Sequence, residues 1–265
     1  MNKKLILLTS QFPYGTGETF LENEFPFLEN EFKKITIFSE RTKGESRVKE
    51  SMCTVKSIQL FTLKTRMLCL FNKEFYIELK YLKNKNKLNI STFRTAWYSL
   101  SKAVAIAKQL ESTRITEGTV FYSYWFDEKA IALALLKKKR NPKLKIVSRT
   151  HGWDVYEERH LNNYLPYRNL LADKLDSVHT ISENGNCYLT ERYPIFKQKI
   201  HVSRLGTLPL KSIPKRHDIK QFKILSISSI IPLKRVDKIL ELVSGLPEVQ
   251  IKWTHIGFGS ELEKL

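Results

Sequence analysis

The sequence predicts an α/β protein made of two doubly wound parallel sheets, the second incomplete. Three observations carry this. Short runs rich in Ile, Val and Phe alternate with helical patterns along the chain. The strand-like runs are apolar enough to be buried on both faces, which is the habit of parallel sheets. The rhythm stops near Thr207 and restarts at Phe222. A length of 265 residues allows roughly two domains at about 150 residues each.

Residues 4–9 read as the first strand. A glycine-containing loop, Gly15-Thr16-Gly17, leads into a helix over 20–32 with acidic residues early, and 35–39 is a second strand. Residues 41–112 break the rhythm and read as a mostly helical, basic insertion. A strand over 119–124 follows. Asp127 and Glu128 then open a helix that closes on Lys137, Lys138, Lys139 and Arg140, charges that match the helix dipole. Asn141-Pro142 stops it. Strands over 145–149, 177–181 and 199–204 complete an N-terminal doubly wound domain, 1–208. Residues 209–221 have two prolines and no periodicity and read as a linker. A strand over 222–228, a helix over 235–243, a strand over 250–256 and the turn Gly257-Phe258-Gly259 begin a second domain of the same kind, 222–265. A piece that short seldom buries its own core, so this domain is expected to be cut short.

Composition narrows the class. With 42% hydrophobic residues, disorder is excluded. No apolar run reaches the ~18–20 residues of a membrane span. Leu5 to Leu8 is too short for a signal-peptide core of ~7–15 residues and leads into Gln11-Phe12-Pro13, so a cytoplasmic location is expected. Cys53, Cys69 and Cys187 are scattered, which supports neither a disulfide framework nor a metal site. The net charge is +18, and +11 of it falls within 41–110. Such a surface attracts phosphates on nucleic acids, lipid heads or small ligands. Within it Ile58, Phe61, Met67, Leu68, Phe71, Phe75 and Leu79 interleave with Lys64, Arg66, Lys73 and Lys80. That pattern suits basic helices on an anionic membrane surface, or ordinary packed helices with snorkelling lysines. The run Lys83-Asn84-Lys85-Asn86-Lys87 reads as a solvated turn.

Parallel sheets bind ligands beyond the carboxyl ends of their strands. Those ends are residues 10–17, 39–40, 124–125, 150–154, 182–184 and 205–207. Gly15 and Gly17 form part of a dinucleotide fingerprint, with Phe20 in place of its third glycine and Glu40 placed for a ribose. An NAD-dependent oxidoreductase is therefore one alternative. A non-enzymatic basic nucleic-acid-binding protein is another, motivated by charge alone, with no recognition-helix signature. In the second domain Lys234 and Arg235 are cations beside a helix start, a suitable place for a diphosphate.

Four segments carry a resemblance. They are the run from Gln11-Phe12-Pro13-Tyr14-Gly15 to Glu24; Ser148-Arg149-Thr150-His151-Gly152-Trp153-Asp154-Val155-Tyr156; Ser203-Arg204-Leu205-Gly206-Thr207; and the run Ser226 to Asp237 with Ile256-Gly257-Phe258-Gly259. Together they resemble the retaining glycosyltransferases of the GT-B fold, family four (group one). The resemblance implies transfer of a sugar, with retention, from a nucleotide-sugar to a hydroxyl acceptor across a cleft between two Rossmann-like domains. The product would be a surface polysaccharide or a lipid-linked oligosaccharide. It places His151 beside the reacting sugar and acceptor. Gly17, Ser229, Lys234, Arg235, Gly257 and Gly259 fall on the donor side. Gly15, Glu18, Thr19, Arg149 and Asp154 fall on the acceptor side, Arg149 and Asp154 being alternatively an ion pair. Ser229 replaces an arginine common in relatives, and their pair of glutamates does not follow Gly259, so half the donor site is expected to be missing. No metal and no cofactor beyond the donor is implied. The expected partners are the nucleotide-sugar, a glycan or lipid-linked acceptor and an anionic membrane surface, not nucleic acid. The expected location is cytoplasmic, peripheral on the inner face of the plasma membrane.

Overall fold

The computed structural model describes residues 3–49, 53–60, 63–113, 115–209, 212 and 221–265. Of the segment expected to be a linker, 210–211 and 213–220 lie outside the described residues, as does Phe61. The chain divides into two compact units, Met1–Leu208 and Pro209–Leu265.

The first unit is one parallel sheet with helices on both faces. Its strands are β1 (Lys4–Thr9), β2 (Lys34–Ser39), β3 (Cys53–Ser57), β4 (Thr119–Ser123), β5 (Lys145–Thr150), β6 (Ser177–Thr180) and β7 (Ile200–Val202), in the order β3-β2-β1-β4-β5-β6-β7. The helices are α1 (Thr19–Glu31), α2 (Leu63–Cys69), α3 (Lys73–Asn84), α4 (Ile90–Glu111), α5 (Glu128–Arg140), α6 (Arg168–Lys174) and α7 (Glu183–Arg192). Strand order reverses between β1 and β4, the point at which open α/β sheets form a ligand crevice. Side chains of β1 divide between two cores. Leu5 and Leu7 pack with Leu21 and Phe25 of α1, while Ile6 and Leu8 join the larger core under α4 and α5. Full burial of each such side chain contributes about 1.5–3 kcal/mol. Asn89 and Thr92 form a reciprocal capping box at the start of α4.

The 41–112 segment, expected to be mostly helical, holds α2, α3 and α4, and it also holds an edge strand, Cys53–Ser57, paired with β2. Its alternating Cys53, Val55 and Ser57 suit a pleated edge, and Lys56 on the outside hid the run among the basic residues. The interleaved apolar residues also divide. Ile58 and Phe75 enter the core, Leu79 is half-buried, and Met67, Leu68 and Phe71 face solvent.

The second unit pairs β8 (Phe222–Ile227) with β9 (Ile251–Ile256) in parallel and connects them through α8 (Val236–Ser244). Among the described residues its sheet has these two strands.

Candidate functional site

The carboxyl end of β5 delivers His151 into a cavity of about 120 Å³ lined also by Thr150, Gly152, Tyr156, Thr180 and Ser182. The imidazole lies against Trp125 and Tyr124, with ring centroids 4.3 Å and 4.8 Å away. Both ring nitrogens are buried and neither has a hydrogen-bond partner among the described residues. The nearest carboxylate oxygen, Asp154 Oδ2, is 3.8 Å from Nδ1, beyond hydrogen-bond reach. Buried polar groups are nearly always satisfied, so an unpaired imidazole at a strand end marks a candidate site.

Asp154 positions this histidine through the backbone. Its carboxylate accepts the His151 N–H and, at 2.8 Å, the Phe126 N–H. Its carbonyl accepts from the buried Arg168, whose guanidinium also donates to Phe126 O. The loops after β4 and β5 are thereby tied together. The ion pair considered between Arg149 and Asp154 does not form. Arg149 projects to the α1 face of the sheet, pairs with Glu24 at 3.0 Å and donates to Tyr122 Oη and Ser203 O.

The glycine loop is held by its own neighbours. Glu18, in a left-handed conformation, accepts from the backbone amides of Ser10, Gln11 and Phe12 and from Trp125 Nε1 at 2.7 Å. Gln11 Oε1 accepts the Gly17 N–H, and Arg47 donates to the carbonyls of Pro13, Tyr14 and Gly17. Gly15 is packed close to the side chains of Gln11 and Arg41, and Thr19 is exposed at the start of α1. Glu40 is engaged by Lys129, which is buried and also bound to Asp127. Burial pushes the Lys129 ammonium pKa down, but Asp127 and Glu40 outweigh it and raise it. The carboxylate and the loop amide that the NAD reading needs are thus already occupied. Glu18 links the loop to the indole that touches His151, so Glu18→Ala should remove four hydrogen bonds at once. A loss of about 2–4 kcal/mol is expected in urea unfolding.

In the second unit Lys234 ends the turn Pro232–Lys234 and is exposed, with no ion pair or hydrogen bond to its ammonium among the described residues. Arg235 takes a left-handed conformation at the start of α8 and pairs with Asp237 at 3.0 Å. Ser229 is exposed on the loop after β8. Gly257 and Gly259 serve close backbone packing. A Cβ on them would lie 1.8 Å from Ser228 O and 2.1 Å from Ile230 O. The residues assigned to donor and acceptor therefore fall into two groups, one in each unit, except Gly17, which lies in the first. Among the described residues no cluster of His, Cys, Asp or Glu could hold a metal ion.

Arg168 carries no signal in the sequence, and Gln11 and Trp125 stand there only as strand-end residues without a role. Trp125 was a strand-end residue in the sequence, but its role depends on contacts to Glu18 and His151 that no local pattern encodes.

No known family's sequence profile and no curated protein matches this chain. Solved structures do. The chain is similar to the apo form of a lipopolysaccharide outer core galactosyltransferase, WaaB, at TM-score 0.57 and 14% identity, over 98% of this chain and 62% of that one. It is similar to a trehalose-6-phosphate synthase studied with bisubstrate glycomimetics, at 0.59 and 15%, over 96% and 64%. It is also similar to a mutant of S. aureus TarM in complex with fondaparinux, α-GlcNAc-glycerol and UDP, at 0.56 and 11%, over 99% and 73%. At these identities the likeness establishes the fold, which is that of the GT-B glycosyltransferases. The chain spans less than two thirds of the length of the first two.

Proposed function

We propose that this chain belongs to a glycosyltransferase that moves a sugar, with retention, from a nucleotide-sugar to a hydroxyl acceptor, in the synthesis of a surface polysaccharide or a lipid-linked oligosaccharide. The observation that carries the reading is the unpaired imidazole of His151, held by Asp154 and Trp125 at a sheet's carboxyl end. A neutral imidazole can donate one hydrogen bond and accept another. That suits it to orienting sugar and acceptor hydroxyls as bonds change. In this reading the departing diphosphate takes the acceptor proton, and the first unit presents the acceptor. The nucleotide lies on the second unit, with Lys234 as its free cation; no metal takes part.

Two tests follow. Lys234→Ala in the intact enzyme should weaken nucleotide diphosphate binding by ~1.5–3 kcal/mol, about 10- to 150-fold, measured by titration calorimetry. Unchanged affinity in a folded variant removes Lys234 from the donor site.

The second concerns a membrane partner. No helix among the described residues is long and apolar enough to cross a membrane. Yet Leu63, Phe71 and Ile90 are 77%, 85% and 80% exposed, on or between helices that carry Lys64, Lys73, Lys80 and Lys83. Each Lys or Arg near an anionic leaflet contributes about 1 kcal/mol, screened over ~8 Å at physiological salt. The chain should sediment with vesicles containing phosphatidylglycerol, little with neutral ones, and be released at high salt. Of the turn read as solvated, Lys83 and Lys85 are exposed but Lys87 is tied to Glu157 and to Asn163 O, so substituting Lys83 and Lys85 by Gln should weaken the binding. Equal binding to both vesicle types, or to neither, rejects this partner and leaves the transfer reaction untouched.

A further inference from the structure

A groove beside α4 has the chemistry of a binding site for a charged sugar. It consists of two cavities, about 220 and 470 Å³, that share Thr95, Ser99 and Glu128. Together they reach the size of pockets that hold small ligands. The smaller one is lined by Trp153, Asp154, His160 and Tyr164, and the larger one by Arg66, Arg94 and Tyr98.

Along α4 the groove is lined by residues that lie off the helix's core face. The core face of α4 is Ala96, Leu100, Ala103 and Ala107. Arg94, Thr95, Tyr98, Ser99 and Lys102 form a second stripe at i, i+4 spacing. Arg94 is exposed, and its guanidinium has no hydrogen-bond or ion-pair partner among the described residues. Lys102 lies over the Tyr98 ring at 4.7 Å and 3.8 Å from Glu128, which partly offsets that carboxylate. The arginine end is therefore net positive. At the other end Trp153 is 63% exposed, and its ring is steadied by His160 at 4.4 Å. An indole that is exposed but held in place is a stacking platform ordered before a ligand arrives. The apolar hydrogen-bearing face of a pyranose fits such a platform. Trp153 stands two residues beyond His151, and Asp154 both lines this cavity and holds the His151 backbone.

We propose that the groove binds the acceptor as an anionic carbohydrate, with a pyranose ring on Trp153 and a phosphate or sulfate at Arg94. This rests on the glycosyl-transfer reading of His151, but its test reads binding and not turnover. The full chain is titrated with a heparin-derived sulfated tetrasaccharide and with maltotetraose, following tryptophan fluorescence and calorimetry. The sulfated probe should bind at least about tenfold tighter. Trp153→Ala and Arg94→Glu should each weaken it about tenfold or more, the scale of one charged contact. Trp153→Phe, which keeps a stacking ring, should stay within about threefold. Probe binding is read without donor and transfer is read separately, so failure of the reaction and failure of the groove are told apart. Equal affinity for the two probes, or unchanged affinity in folded Trp153→Ala and Arg94→Glu, overturns the proposal. Displacement of the sulfated probe by phosphatidylglycerol vesicles free of sugar would assign the arginine end to lipid heads and would overturn it as well.

Discussion

Asp154→Ala is expected to lower the stability of the first unit by about 3–5 kcal/mol in urea unfolding. The carboxylate is buried and accepts the backbone amides of Phe126 and His151. Each buried donor left unsatisfied costs about 1–3 kcal/mol. The same substitution strips charge compensation from Arg168. Burial pushes that guanidinium's pKa down, and Asp154 is the foremost group opposing the shift. Removing one partner from a buried charged arrangement costs about 3–5 kcal/mol. Asp154→Asn keeps one acceptor and should lose roughly half as much. A loss below about 1 kcal/mol for Asp154→Ala would mean that the loops after β4 and β5 are held by something else.

His151→Ala should reduce turnover of the intact enzyme by about 10²–10³-fold, the scale of removing one preorganised hydrogen-bonding group from a transition state. Nucleotide affinity should change less than about threefold, because the lost contact is to the reacting sugar. Folding should survive. The ring nitrogens make no internal hydrogen bond, and alanine keeps the backbone N–H that Asp154 accepts. Steady-state kinetics beside a melting curve separates the two effects. A variant with parental turnover returns His151 to a packing role against Trp125.

Much of the scaffold was legible because burial imposes a local pattern. The run Leu5-Ile6-Leu7-Leu8 must lie in a strand covered on both faces, and it does. The acids and bases at the ends of α5 fixed its direction, and Asp127 caps it. The strand read over 199–204 shortens to Ile200–Val202, the edge of the sheet, where pairing has one side only. α7 left little trace, since only Gly185 and Leu189 are buried along its ten residues. α6 is seven residues long, too short for a helical period to stand out. At the site, His151 was legible from its place after an apolar strand. The grip on it was not. Asp154 to Phe126, Trp125 to Glu18 and Arg168 to Asp154 are contacts between residues 14 to 107 positions apart. Glycines were legible as positions, but their reason differed. Gly257 and Gly259 make room for the backbone of Ser228 and Ile230, which only the paired loops reveal.

The most direct test of the central claim is an NMR assay of the intact enzyme with a panel of nucleotide-sugars, an acceptor library and anionic vesicles. It follows nucleoside diphosphate release and the anomeric coupling of the product together. Turnover of one donor is predicted, with the product keeping the donor's anomeric configuration and both signals falling at least about a hundredfold in His151→Ala. An inverted product, release indifferent to His151, or no turnover of any donor alongside saturable NAD binding would contradict the account.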